Sequence, residues 1–402
     1  MSILDIIDDH DKWLEFYNYK MEKGHLTKAE QKEWKEFINN KKYVSIAAAI
    51  KDGTYTFSIP KKKLVNKIGT DKKRVVYCYS KEENYILKFI TYHLFKYDHK
   101  ICDNCYSFRK NYGVKRAIDS IRYHKNLENM YCYKVDIKNY FNSINVPKLL
   151  DILKDVIDDK KLYVLIKDLL VVDKAYLDGK LIEEKRGAMA GVPFSPFLAN
   201  IYLGDLDKYF YDNNILYARY SDDIIVFANT KEELDAYINY IYKFIKEYEL
   251  DINKSKEYIF LPHESWNFLG IKYQDKIVDL SDITLDKIKG KIRRKARALY
   301  RWRIRKNLDG DPAIKAMIKC FNRKFFEVKD VNDLTWSRWF FPLINTDKGL
   351  HEVDLYLQQY LRYLSTGKHT KTNYNVRYSK LKEYKYKSLV NEYYKSKEKT
   401  FN

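Results

Sequence analysis

The chain has 402 residues, with 75 Lys and Arg against 55 Asp and Glu, a formal net charge of +20. Its length points to two or three packed units, and 46% hydrophobic residues suffice for a sizeable core. No apolar run approaches the roughly 20 residues that span a bilayer, and Asp5, Asp8 and Asp9 argue against the cationic opening of a secretory signal.

Such a basic balance predicts polyanion partners, nucleic acid first. The 38 tyrosines strengthen that expectation, because rings stack on bases while neighbouring cations meet phosphates. Five cysteines, few and odd in number, fit a reducing cytoplasm better than a disulfide framework. Cys102 and Cys105 have the spacing of half a zinc site, but no second pair follows at ligand spacing.

Residues 1–50 read as helical, with Thr27 to Glu30 at capping-box spacing ahead of Trp34 and Phe37. Short strands are expected at Thr54–Phe57 and around Arg74–Val76, with Lys61, Lys62 and Lys63 in a basic loop. Helices follow over 81–98 and 113–125, then a strand from Tyr131 to Ile137. Residues 147–170 read as helical and 171–186 as β-rich. Gly187 to Pro196 is a loop punctuated by glycine and proline, and Leu198 to Tyr209 a helix. Apolar runs on both sides of Tyr220-Ser221-Asp222-Asp223 predict a hairpin over 216–227. A helix over 231–249 and a strand near Tyr258–Phe260 complete this region. The composition then shifts. Residues 281–306 hold eleven Lys and Arg against two Asp, while Leu285, Ile288, Ile292, Ala296, Leu299 and Trp302 recur at helical spacing. That pattern is an amphipathic helix with a strongly basic outer face. The tail from Lys368 adds ten Lys and Arg and six Tyr.

Adjacent carboxylates at a hairpin tip repel, and a divalent cation would remove the cost. Alone, Asp222 and Asp223 read equally as a polar turn. A two-metal phosphoryl-transfer site needs a further acid on a neighbouring strand. Asp136, ending an apolar strand 86 residues before Asp222, offers one.

Here the residues carry a family resemblance. Asp136-Ile137-Lys138-Asn139-Tyr140-Phe141-Asn142-Ser143-Ile144 resembles the first palm motif of reverse transcriptases. Ala190-Gly191-Val192-Pro193-Phe194-Ser195-Pro196 and the residues up to Leu203 resemble the second, close to the group II intron type. Tyr220-Ser221-Asp222-Asp223 resembles the third. Leu250 to Lys256 resembles the fourth, Phe268-Leu269-Gly270 the primer grip, and Tyr106-Ser107-Phe108-Arg109 with Ala117 the fingers motif before the palm. The resemblance runs from about Ile59 to Gly270 in the family's order. It implies an α+β right-hand polymerase with an antiparallel palm sheet and a helical basic C-terminal region. The domains it implies are a helical extension at 1–50, fingers at 51–130, palm at 131–275 with 145–190 contributing helices to fingers and palm, and a helical thumb and RNA-binding region at 276–402.

It also implies roles. Asp136, Asp222 and Asp223, with the main-chain carbonyl of Ile137, would hold two Mg²⁺ ions, with Mn²⁺ as an alternative. Lys72 and Arg74 would meet the dNTP triphosphate, and Ala190 and Gly191 would lie at the nascent base pair. Phe141 would exclude a 2′-hydroxyl, against the plainer reading of a core ring. Lys256 would protonate or neutralise pyrophosphate, against the reading of a solvated lysine. Phe268, Leu269 and Gly270 would grip the primer, and Arg293, Arg294, Arg297 and Arg301 would meet the nucleic-acid backbone. One departure stands out. The family's usual Pro-Gln-Gly reads Met189-Ala190-Gly191 here, which removes a polar contact that Arg186 or Asn200 would have to replace.

The implied function is RNA-directed DNA synthesis, templated by a structured non-coding RNA in antiphage defence, as in the compact defence-associated and abortive-infection reverse transcriptases. RNA template, DNA product and dNTPs are its implied partners, with a partner protein or a second copy left open and no membrane. Two alternatives share the sequence: a template-independent or protein-primed DNA polymerase, and a non-catalytic maturase-like RNA-binding protein.

Overall fold

The computed structural model describes residues 2–22, 26–66, 73–327 and 335–398. The chain divides into two compact units, Met1–Pro262 and His263–Asn402.

The first unit opens with helices α1 (His10–Glu22), α2 (Lys28–Asn39) and α3 (Val44–Lys51). The capping box of α2 forms as expected. The Thr27 hydroxyl accepts from the Glu30 N–H, and the Glu30 carboxylate accepts from the Thr27 N–H. The buried faces are aromatic, and they set the packing. Trp13 stacks on Phe89 of α4 (Lys81–His93) at 4.3 Å, and Trp34 stands edge-on to Phe16 at 5.5 Å. Glu83 closes the N-terminal box of α4 and also accepts from the Ser58 N–H and hydroxyl.

That last contact explains a correction. Thr54–Phe57, expected as a strand, is irregular, because Glu83 draws the segment onto α4 and away from any ladder. The strand lies further on, in β1 (Lys61–Asn66), antiparallel to β2 (Lys73–Cys78). Lys61, Lys62 and Lys63, expected in a loop, are therefore in a strand. Val75 and Val76 of β2 favour the pairing, while Lys61 and Lys63 are exposed and Lys62, on the opposite face, pairs with Glu184. Lys72 lies outside the described residues.

Helix α5 (Val114–Arg122) precedes β3 (Tyr131–Asp136), the short α6 (Tyr140–Ser143), α7 (Val146–Val156) and α8 (Lys160–Val171). The hairpin of β4 (Lys174–Leu177) and β5 (Lys180–Glu183) joins the first, in the order β2-β1-β4-β5. The helix expected over Leu198–Tyr209 is two, α9 (Ser195–Tyr202) and α10 (Gly204–Asp212). Then come β6 (Tyr217–Tyr220), β7 (Asp223–Ala228), α11 (Lys231–Glu247) and β8 (Tyr258–Phe260). Strands β6-β7-β3-β8 form one sheet, antiparallel at every pair. Its strands are buried runs such as Ile224–Ala228, which pack beneath α11.

The second unit starts with a meander of β9 (Trp266–Phe268), β10 (Ile271–Gln274) and β11 (Ile277–Leu280). Helices α12 (Asp282–Arg305), α13 (Gly310–Phe325), α14 (Trp336–Phe340), α15 (Lys348–Thr366), α16 (Tyr378–Glu383) and α17 (Leu389–Glu398) follow. In α12 the predicted apolar face is buried at Leu285, Ile288, Ile292, Ala296 and Leu299, against α13 and α15. The architecture is α+β with a helical C-terminal region, as expected. Among the described residues no helix is long and apolar enough to cross a membrane.

Candidate active site

Strand register brings the acids together. In the β3–β7 pair Asp136 lies opposite Asp223, and Tyr220 faces Asp223 across the β6–β7 turn. Ser221 and Asp222 are the two turn residues. The Ile137 N–H donates to the Asp222 carbonyl at 3.0 Å, which pins the turn to the end of β3. Residues 86 apart in sequence thus share one sheet end.

The turn sits in an unusual conformation. Ser221 has φ +63°, and it is not a glycine. A two-residue turn with positive φ at its first central position normally uses glycine there.

Burial shapes the electrostatics. Burial raises the Asp222 carboxyl above its ordinary value, the Asp136 charge adds to that, and Lys256 and Arg74 oppose. Asp223 is pushed up to about 6 by burial, with Asp222 and Asp136 adding and Lys134 opposing. The Lys134 ammonium lies 3.8 Å from Asp223. The Lys256 ammonium sits 2.7 Å from Asp136, and the Asn253 amide donates to the other Asp136 oxygen at 3.0 Å. Burial presses Lys256 down, but the hydrogen bond and charge of Asp136 outweigh it and leave it raised. The site is thus a cluster of repelling carboxylates, Asp136 buried and Asp222 and Asp223 half-buried, faced by cations from β2, β3 and the segment after α11.

Does this set fit a hard cation? Among the described residues no group of three or more carboxylate, imidazole or thiolate side chains is placed to hold a metal ion. Mg²⁺ does not require one, since it is held by one or two carboxylates together with water and substrate phosphates. Acids raised by burial, and further by one another's charge, are what such an ion relieves. The donors fit.

The surrounding loop is held through its backbone. The Ala190 N–H donates to the Asn142 side chain at 2.9 Å, and the Ala190 carbonyl accepts from the Tyr77 N–H at 2.8 Å. A Cβ on Gly191, at φ +99°, would come within 3.1 Å of the Tyr77 carbonyl oxygen. A Cβ on Gly187 would lie 2.6 Å from the Phe141 carbonyl oxygen, so only glycine fits there. Of the two side chains named as substitutes for the missing glutamine, Asn200 is engaged elsewhere and Arg186 in part, its Nε and Nη1 having no hydrogen-bond partner among the described residues. Asn200, 1% exposed, exchanges hydrogen bonds with Ser107, and the buried Arg186 guanidinium donates to the Val172 carbonyl.

Phe141 is half-buried at the start of α6, packed on the core and 6.3 Å from the exposed ring of Phe108. Phe108 also lies 6.4 Å from Tyr220. Arg74 is exposed on β2. In the second unit, Leu269 and Gly270 form a tight turn at φ +50° and +90° between β9 and β10, behind a buried Phe268. Arg293, Arg294, Arg297 and Arg301 are all exposed on α12. The sequence reading missed Asn253 and Lys134 as partners of the acids. Asn253 lay within a quoted motif, and Lys134 was signalled only by a cation placed two residues before Asp136 in an apolar strand.

An antiparallel sheet thus carries register-matched acids at one end, faced by Arg74, Lys134 and Lys256. The family described as "Reverse transcriptase (RNA-dependent DNA polymerase)" matches residues 59–273, and the chain belongs to it. The Retron Ec83 reverse transcriptase of Escherichia coli is 29% identical over 131 residues, 30% of this chain and 38% of that protein. The chain thus spans well under half the length of this curated relative. Apo telomerase from Candida tropicalis is 13% identical with a TM-score of 0.49, over 82% of this chain and 59% of that one. Telomerase from the same organism in complex with a TWJ fragment of telomeric RNA is 14% identical with a TM-score of 0.47, over 79% and 63%. TM-scores below 0.5 add nothing to the reading of the site.

Proposed function

We propose that this protein is an RNA-directed DNA polymerase that adds dNTPs to a 3′-hydroxyl. The observation that carries the reading is the register pairing of Asp136 with Asp223, with Asp222 in the intervening turn. Asp136 and Asp222, aided by Asp223 and the Ile137 carbonyl, would hold two Mg²⁺ ions, or Mn²⁺. Bound there, the ions would acidify the 3′-hydroxyl and neutralise charge on the triphosphate. The chain's own groups supply the rest. Arg74, whose charge reaches Asp222, meets the triphosphate, with Lys72 assigned beside it. Phe141 closes the space under the sugar C2′ and so selects dNTPs. The Ala190–Gly191 backbone, fixed by Asn142 and Tyr77, supports the nascent pair. Lys256, raised and held on Asp136, is poised to give its proton or its charge to departing pyrophosphate.

We read residues 51–130 as fingers, 131–275 as palm and 276–402 as thumb and RNA-binding region, behind a helical extension at 1–50. Phe268, Leu269 and Gly270 grip the primer, and Arg293, Arg294, Arg297 and Arg301 meet phosphates. Trp339 and the Tyr- and Lys-rich tail add stacking and charge for a structured RNA. A non-coding RNA template, a cytoplasmic location and a role in antiphage defence complete the proposal. One observation favours a second reading. Alanine at position 190 offers no polar side chain to a base pair, so a polymerase less dependent on its template, or primed from a protein hydroxyl, is the alternative.

Sequencing RNA and DNA that co-purify with the protein tests the two. DNA complementary to bound RNA supports the first, and DNA left covalently on protein after nuclease trimming supports the second. The variant Asp222→Ala with Asp223→Ala should incorporate no dNTP while still binding RNA. Unchanged incorporation would sink the polymerase assignment.

A further inference from the structure

Directly behind the acidic turn lies a buried polar network with no place in the chemistry above. Arg219 and Asp207 are both fully buried, as is Ser107. The Arg219 guanidinium donates to the two Asp207 oxygens at 2.7 and 2.5 Å. It also donates to the main-chain carbonyls of Asn200 at 3.0 Å and Ser221 at 3.2 Å. From the other side, the Ser107 hydroxyl accepts from the Ser221 N–H at 2.9 Å. That hydroxyl in turn donates to the Asn200 side chain at 3.0 Å.

Both backbone polar groups of Ser221 are therefore clamped, one by Ser107 and one by Arg219. Ser221 is the residue held at φ +63°. A non-glycine residue persists in the left-handed region only where its surroundings over-determine it. Fixing the peptide groups on either side of Ser221 fixes its φ and ψ, and so the departure direction of Asp222. Stability alone does not account for the pair, since apolar residues often replace buried ion pairs without loss. Arginine is the residue type the geometry needs. Its planar fork reaches a carboxylate bidentately and still has donors for two carbonyls, whereas lysine offers a single ammonium centre.

We propose that Arg219, Asp207 and Ser107 are positioning residues that force Ser221 into the left-handed conformation and thereby set the place of the Asp222 carboxylate. The inference rests on the polymerase reading for its kinetic arm only. The proposal makes one distinctive demand: the need for the clamp falls away where the turn residue adopts positive φ without strain.

The test uses the full-length protein and Ser107→Ala, which removes one hydroxyl, alongside Arg219→Lys, Ser221→Gly and Ser107→Ala with Ser221→Gly. Misplacement of a reacting group by about 1 Å costs on the order of 10²-fold. Ser107→Ala should accordingly lower kcat by about 10-fold to 10²-fold, with the dNTP KM changed less than about twofold. Adding Ser221→Gly should recover most of the loss, and Arg219→Lys should not reproduce wild-type kcat. Amide hydrogen exchange gives a readout independent of activity. Ser107→Ala should speed exchange at residues 220–223, leave β3 and β7 protected, and lose that effect when glycine is present. Unchanged kcat in Ser107→Ala, failure of glycine to rescue, or a uniform rise in exchange across the sheet would each overturn the proposal. If the wild type incorporates no dNTP, the polymerase reading fails, while the exchange pattern still decides the positioning claim.

Discussion

Asp223→Asn should make the metal-free protein more stable. In the folded chain the Asp223 carboxyl is pushed from 3.8 up to about 6, first by burial and then by the neighbouring acids. One pKa unit corresponds to 1.36 kcal/mol, so ionised Asp223 costs the fold about 3 kcal/mol at neutral pH. The side chain is 28% exposed and Lys134 lies nearby, which brings the working figure to about 1–3 kcal/mol. The sign follows from the direction of the shift. Below pH 3.8 the acid is protonated folded and unfolded, and no cost arises. The cost grows as pH rises through the interval up to about 6 and is complete above it. The amide, which cannot ionise, escapes it. Calorimetry in EDTA should therefore show Asp223→Asn melting higher than wild type at pH 7.5, by about 2–12 °C if 1 kcal/mol is worth about 2–4 °C. The gain should fade towards pH 4. Mg²⁺ should raise the wild-type melting temperature at pH 7.5 and raise the variant's less. A variant that melts at or below wild type at pH 7.5, or one whose gain is equal at both pH values, would refute the reasoning.

Three further outcomes are expected. Phe141→Ala should admit rNTPs in primer extension. Discrimination that stays intact would mean that the half-buried ring is part of the core and not a gate. Replacing Arg293, Arg294, Arg297 and Arg301 by alanine should flatten the plot of log affinity against log salt by about 3, since each phosphate contact contributes about 0.7–0.9; an unchanged slope would clear that face of α12 of any phosphate role. Gly187→Ala should lower the stability of the first unit by about 1–3 kcal/mol in urea titration, because its methyl group would meet the Phe141 carbonyl at 2.6 Å and a positive φ. A neutral result would show that the loop can move off α6 at no cost.

The legible parts of the chain were those written in local patterns. The α2 capping box, the β6–β7 hairpin and the apolar stripe of α12 each depend on residues within a few positions of one another, so spacing sufficed. Lys61–Asn66 was not legible as a strand, because three lysines mimic a loop and the deciding fact is its partner β2. The capture of Ser58 by Glu83, 25 residues away, was equally hidden. The acids could be named from motif order, but the opposition of Asp136 to Asp223 depends on sheet register. Arg219 and Asp207 gave no signal at all. Charges are expected at the surface, and only the packed fold brings Asn104, Ser107, Asn200, Asp207 and Arg219 together behind the turn.

Two burdens meet at one turn: the left-handed Ser221 and the mutual repulsion of the acids. Their remedies differ in kind. The strain is met permanently, by neutral and internally paired groups that no substrate can reach. The repulsion is met only in part, by Lys134, Lys256 and Arg74, and two of these three are not buried. Lys256, with a side chain 57% exposed, can leave Asp136, and Arg74 lies exposed on β2. A site whose backbone is locked and whose charge balance is left open has a ready demand for cations and a fixed place to put them. Ala190 fits the same division. Its loop is positioned through its own backbone, whose N–H donates to the Asn142 side chain and whose carbonyl accepts from the Tyr77 N–H, so its geometry does not depend on a glutamine side chain. On the proposed function, what a glutamine would add is a contact to the base pair. The consequence of its absence should therefore appear in template fidelity rather than in the rate of bond formation.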